Sequence, residues 1–157
     1  MERYLKDVLG SSKFDGVCAN RSRTMGSIRG KGNKTTELKL RMGFVRAGLC
    51  GFRLHVGDLP GKPDFFFESA KLAVFVDGCF WHGCPTCGHV PKTRSKFWAA
   101  KLLKNRERDE KKAGQLEELG IRVLRFWEHD LKNQSALNST ILQVSLGVKI
   151  RIPEQFK

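Results

Sequence analysis

The chain has 157 residues, enough for one compact domain with a real core and too few for two comfortable ones. Its 29 Lys and Arg against 16 Asp and Glu leave a formal charge of +13, which points to a polyanionic partner, nucleic acid first. No apolar run approaches the roughly 18 residues a membrane helix needs, and MERYLKDVLG lacks the apolar stretch of a secretory signal, so a cytoplasmic protein with no membrane partner is expected.

Residues 1–34 are rich in Gly, Ser, Asn, Lys and Arg without periodicity, and read as a basic N-terminal arm on a domain spanning 35–157. Leu38, Met42, Val45 and Leu49 then fall at helical spacing, with Gly48 and Gly51 closing the helix. FRLHV (52–56) predicts a strand, followed by a turn through Asp58, Pro60, Gly61 and Pro63. DFFFE (64–68) and LAVFVD (72–77) predict two more, joined as a hairpin by Ser69-Ala70-Lys71. GCFWHGCPTCGH (78–89) is too rich in Gly, Cys and His for regular structure. Ser95 to Leu119 predicts a long charged helix with Trp98, Leu102, Leu116 and Leu119 as its apolar stripe and Gly120 as its stop. IRVLRFWE (121–128) is a strand, and Leu137, Ile141 and Val144 mark a last helix. Helix, three strands, helix, strand, helix is the order of a single α/β domain. Trp98 and Trp127 are expected in its core.

Two acids stand at strand ends. If 64–68 and 72–77 pair as a hairpin, Asp64 and Asp77 reach the same end of the sheet. Paired carboxylates suit Mg²⁺, a hard cation that takes oxygen ligands and can polarise a phosphoryl oxygen. Gly61-Lys62-Pro63-Asp64, a hydrophobic strand and a second acid resemble the PD-(D/E)xK nuclease core. The lysine of that pattern is replaced here by Cys79. His82 lies close in sequence and is a natural general base near neutral pH, with Asp109 in NRERD able to orient it. Glu37 opens the first helix, where an acid ordinarily serves the helix dipole.

Three of the five cysteines crowd together as Cys79-x4-Cys84-x2-Cys87, and the C-x2-C pair is spaced to grip one tetrahedral Zn²⁺, with reduced unliganded thiols or a redox C-x-x-C as the alternatives. His82, His89 and His129 are candidates for the fourth ligand. Cys18 and Cys50 are read as structural.

Taken together, LPGKPD (59–64), VDGCFWHGC (76–84), PKTR (91–94), KNRERD (104–109) and RVLRFWE (122–128) resemble the very-short-patch repair (Vsr) DNA mismatch endonucleases. The resemblance runs from about Arg21 to Lys132. It implies a bacterial, nucleoid-associated enzyme that nicks one strand 5′ of the T in a T:G mismatch left by deamination of 5-methylcytosine. Implied partners are duplex DNA, mismatch-repair proteins and a cognate cytosine-5 methyltransferase. By resemblance, Asp64 is the Mg²⁺ ligand, Asp77 a second metal-contacting position, and His82 the general base paired with Asp109. Glu37 takes part in catalysis, and Cys79, Cys84, Cys87 and His129 hold structural Zn²⁺. Phe80 and Trp81 enter the duplex beside the mismatch, and Met25 enters from the other groove. Lys62, Arg94 and Arg106 are expected to touch DNA, with Lys and Arg elsewhere on the second helix giving salt-dependent affinity. The residues leave open two other classes, a restriction-type endonuclease cutting both strands and a zinc-braced DNA-binding protein without catalysis.

Overall fold

The computed structural model describes residues 36–149 and 155. The basic arm, with Met25 and Cys18, lies outside the described residues. The elements run α1 (Glu37–Arg46), β1 (Phe52–Leu54), β2 (Phe65–Phe67), β3 (Leu72–Asp77), α2 (Ser95–Glu118), β4 (Arg122–Trp127), a 3₁₀ turn (Glu128–Leu131) and α3 (Gln134–Val148). Among the described residues no helix is long and apolar enough to cross a membrane.

One four-stranded sheet has the order β1-β2-β3-β4. β1 pairs antiparallel with β2, and β2 antiparallel with β3 through Phe65↔Val74 and Phe67↔Leu72, as a hairpin requires. β4 lies parallel to β3, with Asp77 opposite Trp127. A parallel pair needs a long crossover, and α2 supplies it.

The sheet is covered on both faces, which is why β3 is buried almost throughout. Leu72 and Val74 face a large core with Leu40 and Phe44 of α1, Phe126 of β4, and Ile141 and Val144 of α3. Ala73 and Phe75 alternate to the other face, where Leu116 of α2, Ile121, Val56 and Phe66 close a smaller core. Asp77 continues that second alternation, so its carboxylate falls on the α2 side of the sheet.

α1 buries a different stripe from the one its spacing suggested, although Leu49, just beyond its end, is buried as expected. Met42 and Val45 are exposed, whereas Leu40, Gly43, Phe44 and Ala47 are buried. Both stripes have helical periodicity, so pattern alone does not choose between them. Gly43 decides it: a Cβ there would sit 2.6 Å from Ile141 Cδ1, so its lack of a side chain lets α1 approach α3. Ile141 is fully buried in the large core, so displacing its Cδ1 would disturb the packing around it. Gly43→Val is expected to destabilise the fold by about 2–3 kcal/mol, read as a lower urea midpoint at unchanged slope.

α2 contains no β-branched residue and many strong helix formers, which carries it through 24 residues, about 36 Å. It ends at Glu118, and Gly120 turns the chain at φ +71°. Leu119 does not extend the apolar stripe but is exposed. Instead Leu102, Asn105, Asp109 and Leu116, spaced by three, four and seven, form the inward row. The row is polar in its middle because it crosses the site. Trp98 and Trp127 are half-buried and belong to neither core, and Cys50 is exposed.

Candidate active site

The loop after β3 returns on itself and is held by α2. Asn105 Nδ2 donates to the Trp81 carbonyl at 2.8 Å. Arg106 donates to the Gly83 carbonyl. Gly83 has φ +62°, and a Cβ there would meet the Arg106 guanidinium at 3.0–3.1 Å, so only glycine suits both the turn and the clamp. Arg106 thus braces the loop while remaining exposed. Arg94 and Lys62 are exposed at left-handed backbone positions, φ +56° and +54°.

Beyond the loop, Cys79, Cys84, Cys87 and His129 offer ligand atoms within 4.8 Å of one another. The fit to a tetrahedral ion is close. Bonds of about 2.3 Å to sulfur and about 2.0 Å to nitrogen place ligands about 3.8 Å apart (S···S) and about 3.5 Å apart (S···N). Cys84 Sγ and Cys87 Sγ are 3.7 Å apart. His129 Nδ1 is 3.3, 3.6 and 3.4 Å from the sulfurs of Cys79, Cys84 and Cys87. His129 Nε2 faces Asp130 at 3.3 Å, and that carboxylate also accepts from the Trp127 N–H. A carboxylate on the far nitrogen leaves Nδ1 as the ligand atom. The crowded thiols resist joint ionisation. The Cys87 thiol is pushed up to about 12 by its bond with Cys79, whereas Cys84, despite burial that raises it, is lowered to about 7 by the N–H groups of Cys87 and Thr86. His82 and His89, the other candidate ligands, lie outside the group.

His82 instead faces α2. Its Nδ1 is 2.6 Å from Asp109 Oδ2 and 3.6 Å from Asp77 Oδ1. An ionised carboxylate only accepts, so Nδ1 carries the proton and the lone pair sits on Nε2. Asp77 is 4% exposed and receives Arg125 Nη1 at 2.6 Å. Burial raises the Asp77 carboxyl above its ordinary range, against the pull of His82 and Arg125. Arg125 also reaches Asp109 at 3.6 Å and stacks over the Phe75 ring at 4.9 Å. Arg125→Ala would leave the Asp77 charge buried beside His82 alone and is expected to cost about 3 kcal/mol in chemical denaturation.

A second group forms where β1, β2 and α1 meet. Glu37, His55 and Asp64 offer ligand atoms within 4.8 Å of one another. Buried Glu37 pairs its Oε1 with His55 Nε2 at 2.8 Å, so it does more than complement the α1 dipole. Asp64 Oδ2 accepts from the Val76 N–H at 2.8 Å. Burial pushes the Asp64 carboxyl up to about 6, Glu37 adding to the rise and the Val76 N–H opposing it. Two carboxylates and an imidazole suit a divalent cation, whose charge would offset both the burial and the mutual repulsion. Asp77 reaches the same sheet end as Asp64, but it is not in this group. Arg125, presented by the parallel neighbour β4, engages its carboxylate from the other side.

Phe80 and Trp81 build an aromatic cluster on the loop. Their rings are 5.1 Å apart, and Trp98 lies 5.2 Å from Phe80 and 6.1 Å from Trp81. Trp98 is therefore their platform. His55, Asn105 and Arg125 contribute to the site without having been expected there, and Trp98, expected in the core, contributes as well. Asn105 and Arg125 lie within the motifs KNRERD and RVLRFWE, whereas His55 carried no such signal.

The chain is similar to known proteins. The family model described as DNA mismatch endonuclease Vsr matches residues 13–87. The Escherichia coli (strain K12) DNA mismatch endonuclease Vsr is 37% identical over 127 residues, covering 79% of each chain. The chain belongs to the Vsr family of DNA mismatch endonucleases. Two further relatives are type II nicking enzymes. V.NaeI of Lentzea aerocolonigenes is 44% identical over 71% of this chain and 69% of its own. V.NmeAIP of Neisseria meningitidis serogroup A is 39% identical over 83% and 93%. As a member of the Vsr family the protein is a nuclease that acts on DNA, and its two candidate metal groups stand on either side of the β3 end.

Proposed function

We propose that the protein nicks one strand of duplex DNA 5′ of the T in a T:G mismatch, on a PD-(D/E)xK-like core. The observation that carries this reading is the 2.6 Å pair between Asp109 of α2 and His82, which sits on the loop that also bears the Phe80–Trp81 cluster. Chemistry and mismatch sensing would then share one rigid element.

The division of labour follows from the residues. Asp64 and Glu37 hold the catalytic cation, expected to be Mg²⁺ from its carboxylate ligands. Such a cation supplies Lewis acidity toward a phosphoryl oxygen. His82 takes the proton of the attacking water on Nε2, while Asp109 keeps Nδ1 protonated and stabilises the imidazolium that results. Asp77, locked by Arg125, positions His82 rather than the cation. Zn²⁺ on Cys79, Cys84, Cys87 and His129 keeps the loop in place. Phe80 and Trp81 enter the stack beside the mismatch, where an unstable step costs less to open. Met25 enters from the other groove. Lys62 and Arg94 contact phosphates, which positions the duplex without reading bases. A cytosine-5 methyltransferase and mismatch-repair proteins are the expected functional partners, and the bacterial cytoplasm and nucleoid the expected place.

His82→Ala is expected to lower the single-turnover nicking rate about 10³-fold with little change in DNA affinity, measured by gel assay and fluorescence anisotropy. The specificity test uses matched duplexes carrying T:G or C:G at one position across a panel of flanking sequences, with and without Mg²⁺. Cleavage confined to the T strand of the mismatched duplex supports the proposal. Cutting of both strands of the C:G duplex would replace it with a restriction-type activity. No cleavage of any duplex would leave the catalytic reading without support.

A further inference from the structure

We propose that His55 is a direct ligand of the catalytic cation, completing a Glu37–His55–Asp64 triad, and that its imidazole tilts the site toward first-row transition ions, Mn²⁺ included, over Mg²⁺. This rests on the cation site at Asp64 proposed above.

The geometry supports the assignment in three ways. First, the His55 Nε2 to Glu37 Oε1 distance of 2.8 Å is close to the separation of two adjacent ligands on one ion. With bonds of about 2.1 Å, octahedral neighbours lie about 3 Å apart. Second, Asp64 brings a carboxylate oxygen into the same group, so three ligand atoms from three separate elements converge within 4.8 Å. A helix start, a strand end and a hairpin start have no common packing reason to bring two acids and an imidazole together at a partly buried point. Third, the backbone re-aims His55. β1 alternates with Phe52 and Leu54 turned inward and Arg53 outward, and continued alternation would put residue 55 on the exposed side with Arg53. At His55 φ turns to +48°, and its N–H pairs with the Asp64 carbonyl at 3.2 Å. A non-glycine residue in the left-handed region costs on the order of 1 kcal/mol or more, and here that conformation keeps the ring at the site, beside Asp64.

The chemistry of the donor set gives the metal preference. Mg²⁺ takes oxygen ligands and is reluctant to shed water, whereas imidazole nitrogen suits first-row transition ions. An all-carboxylate site would have no reason to discriminate in this direction.

The test uses the full chain, zinc-loaded, with Mn²⁺ as the probe. Three-pulse electron spin-echo spectra report nitrogen bound directly to Mn²⁺. Wild type is expected to show ¹⁴N modulation, and the protein labelled with ¹⁵N-histidine should lose its quadrupolar pattern with no change of sequence. His55→Gln, which keeps an amide donor for Glu37, should abolish the modulation. It should also weaken Mn²⁺ binding about 10-fold by calorimetry while changing Mg²⁺ binding less than about 3-fold. Bound Mn²⁺ without ¹⁴N modulation in wild type would overturn the role of His55, as would an unchanged Mn²⁺-to-Mg²⁺ ratio in His55→Gln. In either case Mn²⁺ binding that disappears in Asp64→Asn keeps the Asp64 site itself. Mn²⁺ binding that survives Asp64→Asn at full strength overturns both assignments.

Discussion

Asp64→Asn is expected to lower the single-turnover nicking rate by about 10³-fold or more while leaving DNA affinity and melting temperature close to wild type. A cation that polarises a phosphoryl oxygen contributes several kcal/mol to the barrier, and each 1.36 kcal/mol is a factor of about ten. Asparagine keeps the shape and one carbonyl oxygen, so the Val76 N–H retains an acceptor at the position that now lies 2.8 Å away. It loses the negative charge the cation needs. The variant also removes a buried carboxylate that burial and Glu37 disfavour, so its fold should be no less stable. Rate loss with unchanged stability therefore separates a functional acid from a structural one. Nicking at the wild-type rate would remove Asp64 from the chemistry.

Cys84→Ser should act in the opposite way, through metal content and loop order. Removing one of four ligands is a larger loss than removing an outer-shell partner, which already costs about 10–100-fold in metal affinity. Dialysed variant is expected to hold almost no zinc, against about one ion per chain in wild type, measured by elemental analysis. The two apolar cores contain no residue of the loop, so the sheet and its helices should persist. Limited proteolysis should then cut within residues 78–89, and nicking should fall because His82 is no longer held opposite Asp109. Wild-type zinc stoichiometry in the variant would count against the four-ligand site. Loss of zinc together with the entire fold would show that the ion supports more than the loop.

The sequence alone determined much of this protein. Strands 64–68 and 72–77 were legible because a three-residue polar link between apolar runs leaves hardly any arrangement but a hairpin. The long second helix was legible because 24 residues lack β-branching and end near glycine. The cysteine spacing carried the metal group because two thiols three residues apart can share one ion. Family motifs brought His82 together with Asp109 across 27 positions, which spacing could not do.

Tertiary structure decided the rest, and in each case two local patterns were equally good. α1 has two apolar stripes, and close approach at Gly43 selected the one with Leu40 and Phe44. Asp77 and Asp64 do share a sheet end. Asp77 is engaged by Arg125, presented by a strand 48 residues away in sequence, whereas Asp64 joins Glu37 and His55. Trp98 sits on the inward side of its helix, but the apolar core ends before it, so it serves Phe80 and Trp81 instead. His55 looked like an ordinary strand residue until a left-handed backbone carried it to Glu37. Local sequence sets which conformations are cheap; long-range packing and charge pairing, which no window of neighbours contains, choose among them.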